Sequence, residues 1–482
     1  MTTLLDSRSF LRWCWRQLTS MRTALILLLL LGIAAIPGSL FPQRTQNPLQ
    51  VKQYFIDNPS VAPWLDRFSF FEVYSSPWFS AVYLLLFISL IGCVLPRSIE
   101  HAKAIGAKPP LTPKYLDRLD HFTEIKKIDL NHAEKYLKSK GFRIRRETNS
   151  ISAEKGYARE SGNLLFHLSL VLVLIGVGIG SLLGSRGDAI LNVGDRFINT
   201  PTSYDILSFG KFQAEDSLSP FSITVKDFQA QYDSVTNAPI DYTLTVSTAN
   251  PVGSTEVIKI IKVNKPLAYG NTKIYLQANG YSPSVIIKDK QGKVVFEGPT
   301  PFLPQDSNLS SIGAIKVPDM DPQIGFVGSF LPTADRDPVR GGFSTYPEVL
   351  DPRLLFSIWK GDLGLDSGVP QSVYRIDTSK MERIGLKALV LNESFDFGEG
   401  SITFTGWNSW VNLQIVSDPG KIYSLVGAIL AISGLLISLF TRQRRIWVKQ
   451  GSKTQIAGLS KNEIPGLDEE IRELIKELTG ER

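Results

Sequence analysis

Four long apolar runs constrain the fold of this chain more than any other feature. A helix needs about 20 apolar residues to cross the hydrocarbon of a bilayer, and each run is close to that length. The first run has no clear small-residue cleavage site and ends in "PGSLFPQ", which argues against a removed signal peptide. The sequence therefore predicts a polytopic α-helical membrane protein with four transmembrane helices, at residues 23–40, 79–95, 162–184 and 421–440.

The distribution of charge orients these helices. Lys and Arg outnumber Asp and Glu by 4 to 1 in residues 1–22, by 15 to 9 in 97–160 and by 9 to 7 after 440, whereas 185–420 holds 20 basic and 26 acidic side chains. Short basic loops stay in the cytoplasm, so we expect 1–22, 96–161 and 441–482 inside, and 41–78 and 185–420 outside. The net charge of +6 thus reflects topology and gives no indication of nucleic-acid binding.

Residues 185–420 alternate apolar and polar side chains in stretches such as "FSITVKDFQAQY" and "IDYTLTVSTA". This period-two pattern predicts a large extracytoplasmic β-rich domain. Within it, residues 301–352 are dense in Pro, Gly and Asp, and we expect mostly loops there. The domain has no histidine and no cysteine, which excludes a Ser-His-Asp triad, a disulfide framework and a usual zinc site.

The shorter segments carry weaker signals. Loop 41–78 predicts short helices broken at Pro59 and Pro63, with aromatic side chains that fit an interfacial belt at Trp64, Tyr74 and Trp78. The inner segment 96–161 predicts a small cytoplasmic α+β domain, a βαβ-like unit with strands near 122–128, 142–147 and 150–155. Its spacings match no metal template, so we interpret three histidines as solvated side chains: His101, His121 and His132.

The cytoplasmic tail 441–482 ends in an amphipathic helix with an apolar stripe and an acidic polar face. The acidic face disfavours an anionic membrane surface. Docking on a partner, docking on the inner segment and simple solvation all remain compatible with this pattern. The stripe consists of Leu467, Ile471, Leu474, Ile475 and Leu478.

His167 lies about five residues inside the third run, where an ionisable side chain is costly and by default indicates function. Three interpretations stay open: a structural histidine bonded to another helix, a proton relay, or an axial ligand for a flat apolar cofactor such as haem. At 100° per residue a glycine ridge lies roughly opposite the imidazole, and we expect that ridge to make close helix contacts. The ridge is Gly176, Gly180 and Gly184, whereas Leu170, Val171, Leu174 and Gly178 share the histidine's face.

Several stretches in order resemble the ResB/CcsB family of the system II cytochrome c maturation pathway. They are "LTSMRTALILLLLLGIAAIPGSLFPQ", "YARESGNLLFHLSLVLVLIG", "VNKPLAYGNTKIYLQANGY" and "LQIVSDPGKIYSLVGAILAISGL". A further stretch, "SSPWFSAVYLLLFISLIGCVLPR", looks most like the actinobacterial members. That likeness implies a bacterial plasma membrane, with the thylakoid membrane of cyanobacterial and plastid relatives as the alternative.

The resemblance also implies a role. With a CcsA/ResC-type membrane partner, a member of this family carries haem across the membrane and presents it to apocytochrome c for covalent attachment. His167 in "LLFHLSL" matches the intramembrane histidine of the family, which implies an axial ligand to the iron of transiently bound haem b. The chain lacks a tryptophan-rich haem-presenting segment and a CxxC motif. We therefore expect a subunit of a cytochrome c synthase that is not catalytic alone, with thiol reduction supplied indirectly by a thioredoxin-like protein.

A second hypothesis belongs to another class of protein. The chain is then a membrane-anchored extracytoplasmic β-domain that acts as a scaffold or binds a ligand, and His167 is only structural. Soret absorption of the protein purified with its partner separates the two hypotheses.

Overall fold

The computed structural model of the chain describes residues 7–44, 48–119, 121–337, 341–365, 372–460 and 466–480. The chain divides into two compact units. The helical unit comprises residues 1–178 and 421–482, and the β unit comprises residues 179–420. Four helices are long and apolar enough to cross a membrane, and the β unit is rich in strands, which confirms the predicted fold class.

Nine α-helices lie in the described part of the chain, and α2, α5, α7 and α8 are the four apolar ones. The helix α5 extends through Pro96, beyond the predicted end of its apolar run. The bounds are α1 Ser7–Leu18, α2 Met21–Leu40, α3 Pro48–Asp57, α4 Ala62–Arg67, α5 Pro77–Ile105, α6 Leu130–Ser139, α7 Ala158–Leu183, α8 Lys421–Phe440 and α9 Leu467–Thr479.

The segment between α2 and α5 folds around one buried aromatic ring. Phe71 is fully buried, and Tyr54 and Phe55 of α3 pack against it. The prediction that Pro63 breaks a helix is wrong, because Pro63 lies in the first turn of α4, where proline costs no helical hydrogen bond. Trp64 is 61% exposed, as an interfacial aromatic side chain requires.

Strands are numbered β1 to β23 in chain order, and five of them form an antiparallel sheet in the helical unit. The order is β1-β23-β22-β3-β2, so the tail strands lie in the middle. The inner segment is therefore not a self-contained βαβ-like unit, and we call this structure the composite sheet. Its strands are β1 His121–Ile125, β2 Arg143–Arg146, β3 Ser150–Lys155, β22 Arg444–Gln450 and β23 Thr454–Ser460.

The tail helix α9 covers the composite sheet with the apolar stripe seen in the sequence. Leu467, Ile471 and Leu474 are buried, in one core with Leu137 of α6. Docking on the inner segment is thus the alternative that the structure shows. Burial of one large aliphatic side chain contributes about 1.5–3 kcal/mol, so this stripe is enough to hold a short helix that would be marginal alone.

The β unit contains the remaining strands. They are β4 Ser185–Asn192, β5 Arg196–Ile198, β6 Ile206–Phe209, β7 Ser222–Tyr232, β8 Pro239–Ala249, β9 Val257–Lys262, β10 Leu267–Tyr269, β11 Thr272–Asp289, β12 Val294–Pro299, β13 Leu303–Pro304, β14 Ser311–Val317, β15 Ile324–Leu331, β16 Ala334–Asp337, β17 Gly341–Ser344, β18 Arg353–Lys360, β19 Glu382–Val390, β20 Ser394–Asp396 and β21 Gly400–Ser417.

Two 18-residue strands, β11 and β21, form a long antiparallel ribbon that both cores of the β unit share. Ile274 and Val411 contribute to the core under the β5-β7-β8-β9 sheet. Val285 and Phe404 contribute to the core under the β13-β14-β15-β18-β19 sheet. Along each of these two strands, the inward-facing apolar side chains therefore belong to one core at one end of the strand and to the other core at its other end.

The expectation of loops at 301–352 is wrong, because strands β13 to β17 lie there. β14 and β15 pair from Ser311↔Phe330 to Val317↔Ile324. Their glycines allow close packing: a Cβ on Gly313 would lie 2.3 Å from the ring of Phe302. Glycine and proline in this segment therefore lie where a neighbouring side chain comes close to the backbone and at strand ends, as well as in turns.

Candidate functional site

The helix α7 packs closely against α8 through small residues. A Cβ on Gly162 would lie 2.7 Å from the carbonyl oxygen of Gly434, and one on Gly434 would lie 2.6 Å from the amide nitrogen of Phe166. Further along, Gly427 faces the carbonyl oxygen of Ser169. Such contacts let two backbones approach in an apolar environment, where helix association depends on close packing.

The predicted glycine ridge is only partly a helix contact. Gly176 is buried, but a Cβ on Gly180 would meet the carboxylate of Asp418, and one on Gly184 would meet the carbonyl oxygen of Ser417. The ridge at these two positions therefore packs against the end of β21 and the residue that follows it. Gly162, about five turns before Gly180 on nearly the same face, makes a close contact with α8.

His167 lies away from that packed face, and its ring is half-buried. Nδ1 is 2.7 Å from the carbonyl oxygen of Asn163, one turn earlier in α7. A carbonyl can only accept, so Nδ1 carries a proton, and in the neutral imidazole Nε2 then presents a lone pair. Nε2 forms no hydrogen bond with any described residue. This arrangement, with one nitrogen held by a backbone carbonyl and the other available, is typical of histidines that bind a metal.

The surroundings of the imidazole are apolar. The ring of Phe166 lies edge-on to it, with centroids 5.2 Å apart. On the histidine's face, Val171 is buried, and a Cβ on Gly178 would have no neighbour within 4 Å. The described residues include no group of three or more His, Cys, Asp or Glu side chains able to hold a metal ion. His167 therefore offers one nitrogen, Nε2, beside apolar side chains.

The helix α5 runs alongside α7 and contacts it at two levels. The Tyr83 hydroxyl donates a hydrogen bond of 3.0 Å to the carbonyl oxygen of Leu174. Some 18 residues later, His101 Nε2 is 2.9 Å from the Ser161 hydroxyl, and its Nδ1 is 3.6 Å from Glu160. The interpretation of His101 as a solvated side chain is wrong, since only 16% of the side chain is exposed. Both ring nitrogens are engaged, so His101 is a poorer ligand than His167.

The other two histidines join the composite sheet and α6 to α9. His121 Nδ1 is 2.5 Å from Asp468, and His132 Nε2 is 3.5 Å from Glu477. His132 is half exposed, as predicted for a solvated side chain, whereas the side chain of His121 is 29% exposed. Both are paired with carboxylates of the tail helix. Neither lies with His167.

A cavity of about 430 Å³ lies at one end of α5, α7 and α8. Its walls include Arg97 and His101 of α5, Arg159 and Asn163 of α7, and Ser438 of α8. This cavity was not predicted from the sequence. The signal was present in "VLPR" and "YARE", because each apolar run is flanked by an arginine at the end predicted to be cytoplasmic, and neighbouring antiparallel helices bring such ends together.

The β unit has a cavity of its own, of about 470 Å³, between β7, β11 and β21. Trp407 and Tyr281 line it, and Glu348 supplies a carboxylate. Burial, and next the charge of Glu348, raise the pKa of Tyr281 to about 12, so the phenol stays neutral. Trp410 is buried and donates to the carbonyl oxygens of Tyr281 and Phe302, as a strand residue rather than a cofactor ligand.

Residues 21–472 match the model of the ResB-like family. The chain belongs to this family. The match includes all four apolar helices, His167, both units and the cavity at the ends of α5 and α7. Membership in the ResB-like family confirms the resemblance that the sequence motifs indicated.

Named relatives in the ResB-like family have modest identity over long alignments. The chain is 26% identical to cytochrome c biogenesis protein CcsB of Prochlorococcus marinus (strain NATL1A), over 95% of this chain and 96% of the relative. It is 28% identical to CcsB of Synechococcus sp. (strain WH7803), over 54% and 58% of the two chains. It is also 28% identical to cytochrome c biogenesis protein Ccs1 of Pyropia yezoensis, over 56% and 61%. The likeness to actinobacterial members stays a prediction.

Proposed function

We propose that this protein acts in system II cytochrome c biogenesis, where it handles haem as cargo. With a CcsA/ResC-type membrane protein, it carries haem across the membrane and presents it to apocytochrome c. The observation that carries this proposal is the state of His167: Nδ1 is held by the Asn163 carbonyl, and Nε2 is available beside apolar side chains. The names of the relatives, cytochrome c biogenesis proteins CcsB and Ccs1, support the pathway.

In this role His167 is an axial ligand of haem b, and the partner supplies the second ligand. An imidazole with a fixed tautomer offers its lone pair in one direction, which reduces the ordering cost of ligation. The apolar face of α7 suits the macrocycle, since a porphyrin is largely apolar. In this proposal the chain itself binds the haem and orients it. Attachment chemistry belongs to the complex, and reduction of the apocytochrome belongs to a thioredoxin-like thiol reductant, because Cys14 and Cys93 form no CxxC pair.

The protein is proposed to lie in a bacterial plasma membrane, and the cyanobacterial relatives favour the thylakoid membrane as the alternative. The positive charge of its short loops predicts that the composite sheet lies in the cytoplasm and the β unit on the extracytoplasmic side. A single cysteine introduced at Ser254 is expected to react with an impermeant maleimide in intact cells. Protection of that cysteine until the membrane is opened would reverse the topology.

The haem role is tested by replacing His167 in the full chain, co-purified with its partner. We expect His167→Ala and His167→Gly to lose most Soret absorption while the protein remains in the membrane. Added imidazole is expected to restore part of the spectrum in His167→Gly, because it occupies the vacated space and coordinates iron. The matched control is His132→Ala, which removes a half-exposed histidine outside the spans. Wild-type Soret absorption in His167→Gly without imidazole would contradict the proposal.

One observation favours the second candidate, a β unit that binds an extracytoplasmic ligand. The cavity lined by Trp407 and Tyr281 has a volume typical of ligand sites, about 300–1,000 Å³. In that case haem plays no part, and His167→Ala leaves function unchanged. Trp407→Ala is then the damaging substitution, and the maturation of a reporter cytochrome c separates the two candidates.

A further inference from the structure

The cavity at the ends of α5, α7 and α8 holds two arginines without carboxylate partners. Arg97 and Arg159 line it together with Glu100 and Glu160. Neither arginine forms an ion pair with a described residue. Glu160 instead lies 3.6 Å from Nδ1 of His101. The two guanidinium groups therefore remain available to a ligand that enters the cavity.

The same cavity adjoins the histidine. Asn163 and Leu164 form part of its wall, and the carbonyl oxygen of Asn163 holds the imidazole of His167. At a rise of 1.5 Å per residue, His167 lies about 6 Å beyond Asn163 and about 12 Å beyond Arg159 along α7. A ligand ligated by His167 can therefore extend along one face of α7 into the cavity.

Haem has one charged edge, formed by its two propionate carboxylates. Carboxylates are costly in hydrocarbon, so a haem ligated by His167 must turn that edge toward a polar region. Toward the middle of α7 the histidine's face offers only Leu170, Val171, Leu174 and Gly178. In the other direction it offers the cavity with its two guanidinium groups. Arginine binds carboxylates through paired, charge-assisted hydrogen bonds.

We propose that Arg97 and Arg159 bind the propionate carboxylates of the haem whose iron His167 ligates. This inference rests on the proposed function and assigns the orientation of the cargo: charged edge in the cavity, apolar edge along Val171 and Leu174. The arginines are specificity residues for a porphyrin dicarboxylate. His101, which contacts Ser161 and Glu160, lies in the same wall of the cavity.

The test compares haem with haem dimethyl ester, which lacks the two negative charges. The full chain, purified with its partner and stripped of haem, is titrated with each ligand and followed by its Soret band. We expect the double variant R97Q/R159Q to bind haem at least tenfold more weakly and the ester as tightly as the wild type does. R97K/R159K is expected to recover part of the haem affinity. The matched control is Arg22→Gln, which removes an exposed arginine at the start of α2, outside the cavity.

Three other results would overturn the assignment of Arg97 and Arg159 to the propionates. Wild-type haem affinity in R97Q/R159Q would overturn the carboxylate assignment and leave the role of His167 intact. Equal weakening for haem and for the ester would also overturn it, because the arginines then act on the fold or on lipid headgroups. If the wild-type complex binds neither ligand, the proposed function fails together with this inference.

Discussion

The helical unit contains all four histidines and both cysteines of the chain, whereas the β unit contains neither residue type. The two units are also built differently. The β unit is one continuous stretch, held by two apolar cores that share the β11–β21 ribbon. The helical unit joins segments about 300 residues apart in sequence, through an apolar core that includes Leu137 and Leu474 and through charged contacts such as Arg445 with Glu154. The candidate site, with His167 and the cavity lined by Arg97 and Arg159, therefore lies in the unit that two separate stretches of the chain build together.

The composite sheet illustrates this difference. Glu154 of β3 is 4% exposed and accepts hydrogen bonds from Arg143, from Arg445 and from Gln443. Two of these partners belong to the tail, at or beside β22. A single buried carboxylate thus connects the inner segment to the chain that follows α8. The β unit has a different kind of centre, since Trp410 packs on Gly280 in the middle of its ribbon.

The largest effect is expected at Glu154. Glu154→Ala removes the buried carboxylate that Arg143 and Arg445 both contact, and breaking a buried ion pair costs about 3–5 kcal/mol. Hydrogen exchange of residues 444–460 in the full chain measures the change, since it reports local opening. The control is Glu134→Ala, which removes an i,i+4 pair with the 60% exposed Lys138 and a 3.5 Å contact with Arg146, and is expected to have little effect. Equal protection of residues 444–460 from exchange in Glu154→Ala and Glu134→Ala would show that the Glu154 carboxylate does not stabilise the composite sheet.

The same carboxylate predicts a pH dependence. Burial raises the pKa of Glu154, but the hydrogen bonds from Arg445, Gln443 and Arg143 outweigh it, and the net pKa is lowered. Because the folded pKa lies below the unfolded value of about 4.3, the stabilisation is present above that value and is lost as pH falls through the folded pKa. Glu154→Gln is expected to weaken this acid dependence in the exchange of 444–460. An unchanged acid profile would contradict it.

The centre of the β unit gives the next effect. A Cβ on Gly280 would lie 2.5 Å from the ring of Trp410, so Gly280→Ala must displace a buried indole. Overpacking of this kind costs about 1–3 kcal/mol. Gly406→Ala is the matched control, because a Cβ there has no neighbour within 4 Å on the same ribbon. Hydrogen exchange along β11 and β21 is expected to become faster in Gly280→Ala and to stay unchanged in Gly406→Ala. Unchanged exchange in both variants would show that the ribbon accommodates the added methyl group without loss of stability.

Helix packing in the helical unit has an effect of similar size. Gly434→Val places side-chain atoms against the backbone of Gly162 and Phe166, which forces α7 and α8 apart. Gly32→Val in α2 is the control, since nothing lies within 4 Å of its Cβ. We expect weaker haem retention in Gly434→Val than in Gly32→Val, because Phe166 adjoins His167. Equal retention would mean that the ligand is insensitive to the α7–α8 contact.

The sequence predicted local features well and long-range pairing poorly. The four apolar runs follow from local composition, and the alternating strands and the stripe on α9 follow from periodicity; both depend only on neighbouring residues. β22 and β23 escaped notice because a short strand in the centre of a sheet shows its pairing only with distant partners such as β1 and β3. The burial of His101 was hidden for the same reason. It depends on Ser161 and Glu160, which are 60 residues away or nearly so.

The smallest effect is expected at His132. Its contact with Glu477 spans 3.5 Å, and both side chains are about half exposed, at 50% and 51%. Exposed pairs contribute little, because solvent screens them and two mobile side chains must be ordered. His132→Ala is therefore expected to change the stability of α9 by less than about 0.5 kcal/mol. Leu474→Ala, which removes a fully buried side chain from the same helix, is expected to cost about 2–5 kcal/mol. Hydrogen exchange of α9 compares the two, and a similar loss in both would mean that charge, rather than apolar packing, holds the tail helix on the composite sheet.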